Sequence, residues 1–136
     1  MKVGNLLLVK CFVSLFFGIV FVVAAPVVGP IFGMDLQKAG VVAAQTMGAL
    51  LIGTGIICWF LRGAAPSALG RDVLLAIFVQ DTIGFVVMLL GQLAGYMNAL
   101  GWLTVLLWLF FAAGTGYFRF FGSAPAASRT SAPHGA

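Results

Sequence analysis

The chain has 136 residues, of which 62% are hydrophobic and only 7% carry a charge. That leaves too little polar surface for a soluble domain of this length, so the sequence predicts a small integral membrane protein with a single membrane domain. The net charge of +4 does not indicate nucleic-acid binding, because the basic residues are scattered at the ends of apolar segments and form no patch.

The first membrane span is predicted at 7–28, within an apolar run that starts close to the N-terminus. A group of helix-breaking residues follows its centre, and we expect them to slow or stop the helix near the far side of the membrane. These residues are Pro26, Gly29, Pro30 and Gly33.

A secretory signal peptide is the alternative for this segment, because Lys2 precedes the apolar run and Val23-Ala24-Ala25 resembles a cleavage site. Lys10 interrupts the run, and the run is longer than a signal requires. Pro26 would also occupy the first position after the cut, where proline is usually excluded. These three features favour a membrane span.

Three further spans are predicted, at 39–61, 72–91 and 100–118. The second span ends at Arg62 and a series of helix-breaking residues. The third and fourth spans are placed by counting about 20 residues back from Gly91 and from Arg119. The breakers are Gly63, Pro66 and Gly70.

The predicted fold is therefore an all-α, integral membrane four-helix bundle in 1–121. The composition changes after Phe121 to Gly, Ser, Ala and Pro, which cannot bury apolar area, so 122–136 is predicted to be a flexible cytoplasmic tail.

Six of the seven basic residues fall on one side of this arrangement. The positive-inside rule then predicts a multi-pass protein of the cytoplasmic (inner) membrane with both termini in the cytoplasm. The six are Lys2, Lys10, Arg62, Arg71, Arg119 and Arg129.

The chain aligns with itself at an offset of 61 residues, which places Gly53-Thr54-Gly55 on Gly114-Thr115-Gly116. The preceding turns, Gly33-Met34-Asp35-Leu36 and Gly95-Tyr96-Met97-Asn98, match only loosely. The pattern is compatible with two duplicated helical hairpins without deciding the matter. Such repeats would differ from the inverted repeats of many secondary transporters.

Small residues recur four positions apart, a spacing that removes side-chain bulk from one face of a membrane helix. Compact packing inside the bundle is the simpler interpretation, and contact with another subunit is the alternative. The glycines given this helix-packing role are Gly48, Gly53, Gly91, Gly95 and Gly116.

Asp81 is the principal candidate functional residue. The stretch from Thr82 to Phe118 carries no charge and is too long for one span yet too short for two spans with a turn. The third span must therefore include Asp81, close to the membrane midplane. A carboxylate there is costly, so we expect it to face the bundle interior and to be protonated, paired or hydrated, with Lys10 as the nearest candidate base.

Two interpretations of Asp81 remain open. It either joins helices by a hydrogen bond or a buried pair with Lys10, or exchanges protons or cations along a transport path. The intramembrane polar residues available for such a path, with Gln45 and Thr46 foremost, form a thin chain. The others are Ser14, Thr54, Thr104 and Thr115.

No catalytic residue, cofactor site or metal site is predicted. The only histidine is His134 in the tail, which excludes the usual modes of haem and chlorophyll ligation within the membrane. Cys11 and Cys58 are expected to be packed thiols on the cytoplasmic side. The sequence contains no Ser-His-Asp set and no phosphate-binding loop.

The segment Cys58-Trp59-Phe60-Leu61-Arg62 and the pair Gly101-Trp102 resemble the corresponding helix end and helix start of small four-helix bacterial membrane proteins, the DoxX-like group. The resemblance is one of layout. It implies a four-helix bundle and carries over no functional residue.

We expect a non-catalytic accessory or scaffolding subunit of a larger membrane protein complex, in contact with the lipid bilayer and with other subunits or further copies of itself. The alternative is a small oligomeric transporter or channel that uses Asp81. A third interpretation, a membrane enzyme acting on lipid or quinone, requires more polar groups at one interface than the sequence provides.

Overall fold

The computed structural model describes residues 2–65 and 67–122. They form four α-helices: α1 (Val3–Ile31), α2 (Lys38–Ala64), α3 (Ala68–Leu93) and α4 (Gly101–Phe120). Each helix is long and apolar enough to cross a membrane, which confirms the prediction of an all-α chain with four membrane-length helices. Pro66 and, apart from Gly122, the predicted tail lie outside the described residues.

Two antiparallel hairpins make up the fold. α1 packs mainly against α2 and α3 mainly against α4, whereas the two hairpins touch each other much less. Both hairpin turns lie at one end, where the Asn98 side chain donates to the Ile31 carbonyl (2.8 Å) and its backbone N–H donates to the Phe32 carbonyl (2.8 Å). We call this the turn end, and the opposite end, where Gly4 lies beside the Arg62 carbonyl, the terminal end.

Both hairpin turns begin with the same helix-ending motif. Gly33 and Gly95 have positive φ angles of 77° and 75°, a conformation that glycine adopts without steric cost. The residue after each glycine donates its backbone N–H to the carbonyl five residues earlier, which defines a Schellman motif. The bonded pairs are Met34 with Gly29 (2.9 Å) and Tyr96 with Gly91 (3.1 Å). Two turns that match loosely in sequence therefore share a backbone geometry.

α1 continues through both of its prolines and ends at Ile31, three residues beyond the predicted end of the span. Pro26 has no N–H to donate to the Val22 carbonyl, and Ala24 nearby leaves helical geometry (φ −130°, ψ 23°). The prolines therefore kink α1, and the helix ends at the turn that contains Gly33.

The apolar core lies toward the terminal end and seals that half of the bundle. Both cysteines belong to it, free and buried. Its buried members are Leu7, Cys11, Cys58, Leu61, Ala65, Leu74 and Ile77. The outer surface is also apolar, because large hydrophobic side chains such as Phe12, Phe60 and Val87 are exposed. An apolar exterior on helices of this length is consistent with a multi-pass membrane protein.

The predicted packing glycines occupy different environments. A Cβ added at Gly48 would lie 2.7 Å from the Gly18 carbonyl, so α1 and α2 approach closely there, and a Cβ at Gly116 would lie 2.8 Å from Phe78. One added at Gly53 would meet nothing within 4 Å. Gly95 serves the turn, and Gly91 leaves ordinary van der Waals room, with Met97 at 3.7 Å.

We expect Gly48→Ala to destabilise the protein by about 1 to 3 kcal/mol, because the added methyl group forces α1 and α2 apart. Gly53→Ala on the same helix is the matched control, and its cost should stay within about 0.5 kcal/mol. Thermal unfolding of both variants in lipid nanodiscs measures the difference. Equal melting temperatures would contradict the close approach at Gly48.

Candidate functional site: a buried ion pair between the hairpins

Asp81 lies at the midpoint of α3, a helix of 26 residues, with 0% of its side chain exposed. The Lys10 ammonium of α1 donates to its Oδ1 atom at 2.5 Å and is itself only 3% exposed. The structure thus places Asp81 in the bundle interior and joins it to a lysine of the other hairpin. Of the partners considered from the sequence, Lys10 is the one in contact.

The second carboxylate oxygen of Asp81 is held more weakly. The Thr115 hydroxyl of α4 lies 3.5 Å from Oδ2, while its shorter bond, at 2.7 Å, goes to the Phe111 carbonyl of its own helix. Three helices therefore meet at this carboxylate. The repeated Gly-Thr-Gly sequence that contains Thr115 is the signal that could have identified it.

Aromatic rings surround the ammonium group. Lys10 Nζ lies 4.5 Å from the centroid of the Phe111 ring and 5.8 Å from that of Trp108, distances at which the ring faces attract a cation. Trp108 also covers Gly84 of α3. Phe111 is one of 13 phenylalanines, and nothing in the sequence distinguishes it from the others.

The electrostatics of the pair follow from its burial. Moving two charges out of water costs several kcal/mol per ion, and their mutual attraction roughly balances that cost only while both partners are present. The pair therefore contributes little net stability compared with two apolar side chains, but the loss of one partner leaves an uncompensated charge.

Gln45 has a structural position away from Asp81. Its side-chain amide donates to the Val22 carbonyl of α1 at 3.1 Å. That carbonyl lacks its usual helical donor because residue 26 is a proline, so Gln45 supplies the missing hydrogen bond across the hairpin.

The remaining intramembrane polar residues bond mainly within their own helices. Thr46 is exposed and donates to the Val42 carbonyl (2.9 Å), and Thr54 donates to the Leu50 carbonyl (3.0 Å) while it accepts a bond from Gln80 (3.3 Å). Within residues 2–65 and 67–122, no hydrogen bond connects Gln45 or Thr46 to Asp81. The structure does not bring the predicted polar set together.

A cavity of about 70 Å³ lies between the hairpins and begins at the ion pair. Lys10 and Ser14 line one end of it, and Phe32, Met34 and Met97 line the other, at the turn end. The walls between are apolar and come from all four helices, as Phe17, Met47, Met88 and Trp108 illustrate. Nothing in the sequence pattern indicates this cavity.

In comparisons with protein-family models, with curated proteins and with solved structures, the chain matches none. Among the described residues, no group of three or more His, Cys, Asp or Glu side chains could hold a metal ion. The described site consists of the ion pair, the hydroxyl groups of Ser14, Thr104 and Thr115, and a cavity with otherwise largely apolar walls.

Lys10→Met and Asp81→Asn should each destabilise the protein by about 3 to 5 kcal/mol, because each leaves one buried charge without a partner. The double variant should unfold at a higher temperature than either single variant, since it contains neither charge. Thermal unfolding in nanodiscs measures the coupling. Losses that simply add would show that the two groups act independently.

Gln45→Leu should cost about 1 to 3 kcal/mol, because it leaves the Val22 carbonyl without a donor. In a Pro26→Ala background the same change should cost much less, since alanine at that position provides the helical N–H. A double-mutant cycle on unfolding free energies measures this coupling. A cost of Gln45→Leu that is the same in both backgrounds would refute the role assigned to its amide.

Proposed function

We propose that this chain is a multi-pass protein of the cytoplasmic membrane, with both termini in the cytoplasm, that acts as a non-catalytic accessory or scaffolding subunit of a larger membrane complex. Four helices of membrane length and an apolar outer surface support the membrane assignment. Lys2, Arg62 and Arg71 at the terminal end support the orientation. Lys10 contributes less to that argument because it is paired in the interior.

The observation that carries this proposal is an open helix-docking position at Gly53. Gly114, which aligns with Gly53 in the internal repeat, is covered by α1, since a Cβ added there would lie 2.9 Å from Leu6. Gly53 has no such neighbour among the described residues, and Ala49, one turn earlier, is exposed. Small residues four apart let membrane helices approach closely, so this face of α2 suits a helix from another subunit.

The polar side chains agree with a supporting role. Gln45 completes the backbone bonding of a kinked helix, and Lys10 neutralises Asp81 at the contact between hairpins. The side chains of Gln45 and Lys10 both hold helices together, as expected of a subunit with a structural role.

One observation favours the second candidate, a small transporter that uses Asp81. The cavity reaches from the turn end to Lys10, the partner of that carboxylate. Its walls are apolar, however, and the core on the other side of the ion pair is closed by residues such as Leu7, Leu74 and Ile77. A water-filled route for ions needs polar walls, so we rank transport second.

The test is purification of the tagged chain from its native membranes in mild detergent, with quantitative mass spectrometry. We expect other membrane proteins to co-purify in stoichiometric amounts, and Gly53→Leu to reduce their recovery several-fold because the added side chain blocks helix approach. Ala76→Leu, which adds similar bulk at an exposed position of α3, is the matched control and should retain the partners.

Two results would overturn the proposal. One is a chain that purifies alone or only with copies of itself. The other is proton-linked uptake in proteoliposomes that disappears in Asp81→Asn, which would establish transport instead. Melting temperatures of Gly53→Leu and Ala76→Leu close to that of the unaltered protein are required as a check that both variants fold.

A further inference from the structure

The cavity between the hairpins is long and narrow. Its lining follows α1 from Lys10 to Phe21, which corresponds to about 16 Å at 1.5 Å per residue. A water molecule needs roughly 10 to 15 Å³ of such volume, so the 70 Å³ cavity has room for about five to seven water-sized positions. A small volume spread over this length suits one extended hydrocarbon chain.

The walls of this passage suit an apolar guest. Four of the five methionines of the chain line it, together with several aromatic rings. Methionine is unbranched and polarisable, and it adapts to irregular apolar partners. Apolar walls offer water few hydrogen-bond partners, so a file of water molecules is disfavoured here. The lining methionines are Met34, Met47, Met88 and Met97.

The inner end of the passage offers hydrogen-bond donors without acceptors. The Lys10 ammonium has three N–H groups, and Asp81 is the only oxygen acceptor bonded to it among the described residues. Ser14, one helical turn further along α1, is 4% exposed and lines the cavity, and its hydroxyl has no hydrogen bond within the part of the chain that the structure describes. Buried polar groups in this condition favour a ligand that supplies an acceptor.

We propose that this cavity binds a single-chain amphiphile with an unbranched hydrocarbon chain and an uncharged oxygen head, such as a fatty alcohol, a fatty aldehyde or a protonated fatty acid, with the head at Lys10 and Ser14. The oxygen accepts hydrogen bonds from the ammonium and the hydroxyl group, and the chain extends between the methionines toward the turn end. This binding site does not depend on any partner subunit.

Three features select this class of ligand. An anionic head would be repelled by the Asp81 carboxylate, which is 2.5 Å from Lys10. A chain inserted with its methyl end first would place hydrocarbon against the free donors and leave them unsatisfied. A ring does not extend along the lining from Lys10 to Phe21, whereas an unbranched chain does.

The experiment uses the full chain in lipid nanodiscs and a photoreactive dodecanol with a diazirine in its chain. Irradiation should label lining residues such as Phe17, Met47 and Met88, identified by peptide mass spectrometry. Unlabelled dodecanol should compete for this labelling. Cyclododecanol, which has the same head on a ring, and dodecane, which lacks the head, should compete at least several-fold more weakly.

Ser14→Ala tests the role of the head group with little change in volume, and it should lower labelling of the cavity several-fold. Thr46→Ala is the matched control, because it removes a hydroxyl group from the exposed side of α2, and its labelling should equal that of the unaltered chain. Unfolding temperatures of both variants within a few degrees of the unaltered protein show that the fold is retained.

Labelling confined to exposed residues such as Phe12 and Phe60 would overturn the proposal, as would equal competition by cyclododecanol. Unchanged labelling in Ser14→Ala would overturn the assignment of the head group to the inner end. None of these results bears on co-purification of partner subunits, so this inference and the proposed function fail independently.

Discussion

The contact between Lys10 and Asp81 is the interaction on which the arrangement of the two hairpins depends. Each hairpin is held together along its length by close helix packing, but the hairpins touch each other much less. A buried ion pair in apolar surroundings discriminates between arrangements of the helices. Any arrangement that separates the partners leaves a charge in a medium that cannot solvate it. The pair therefore selects one pairing of hairpins among several that apolar packing would allow.

The side chains of Gln45 and Asn98 also satisfy groups that would otherwise lack a hydrogen-bond partner, and these groups are uncharged. Gln45 donates the hydrogen bond that the Val22 carbonyl of α1 lacks because of Pro26. Asn98 donates to two carbonyl groups at the end of the same helix. Inside a membrane, or at its edge, each unbonded backbone group is expensive, so a kinked helix requires a side chain on a neighbour to complete it. These polar residues thus mark places where regular helix geometry is interrupted or where hairpins join.

Much of the fold is determined by quantities that a sequence displays directly. Lengths of apolar runs are enough to predict four helices and to place Asp81 in the middle of the third, because membrane thickness sets a fixed scale. The pairing with Lys10 was one of two interpretations. The sequence does not reveal the roles of Phe111 and Ser14, since these depend on which face each helix turns inward and on the register between hairpins. The same limit on prediction from sequence applies to Gln45. Pro26 indicates that one carbonyl of α1 lacks its helical donor, but only the register of α1 against α2 shows which residue supplies the hydrogen bond.

The side-chain links between the hairpins lie at two depths, with Asn98 against Ile31 at one end, and the ion pair and the Gln80–Thr54 hydrogen bond near mid-depth. Links at these two levels suppress sliding and splaying of one hairpin against the other. The elongated cavity extends between those same two levels. Because the hairpins are fixed to each other at both levels, the cavity can adjust to its contents through rotation of the side chains that line it, for which unbranched methionines are well suited.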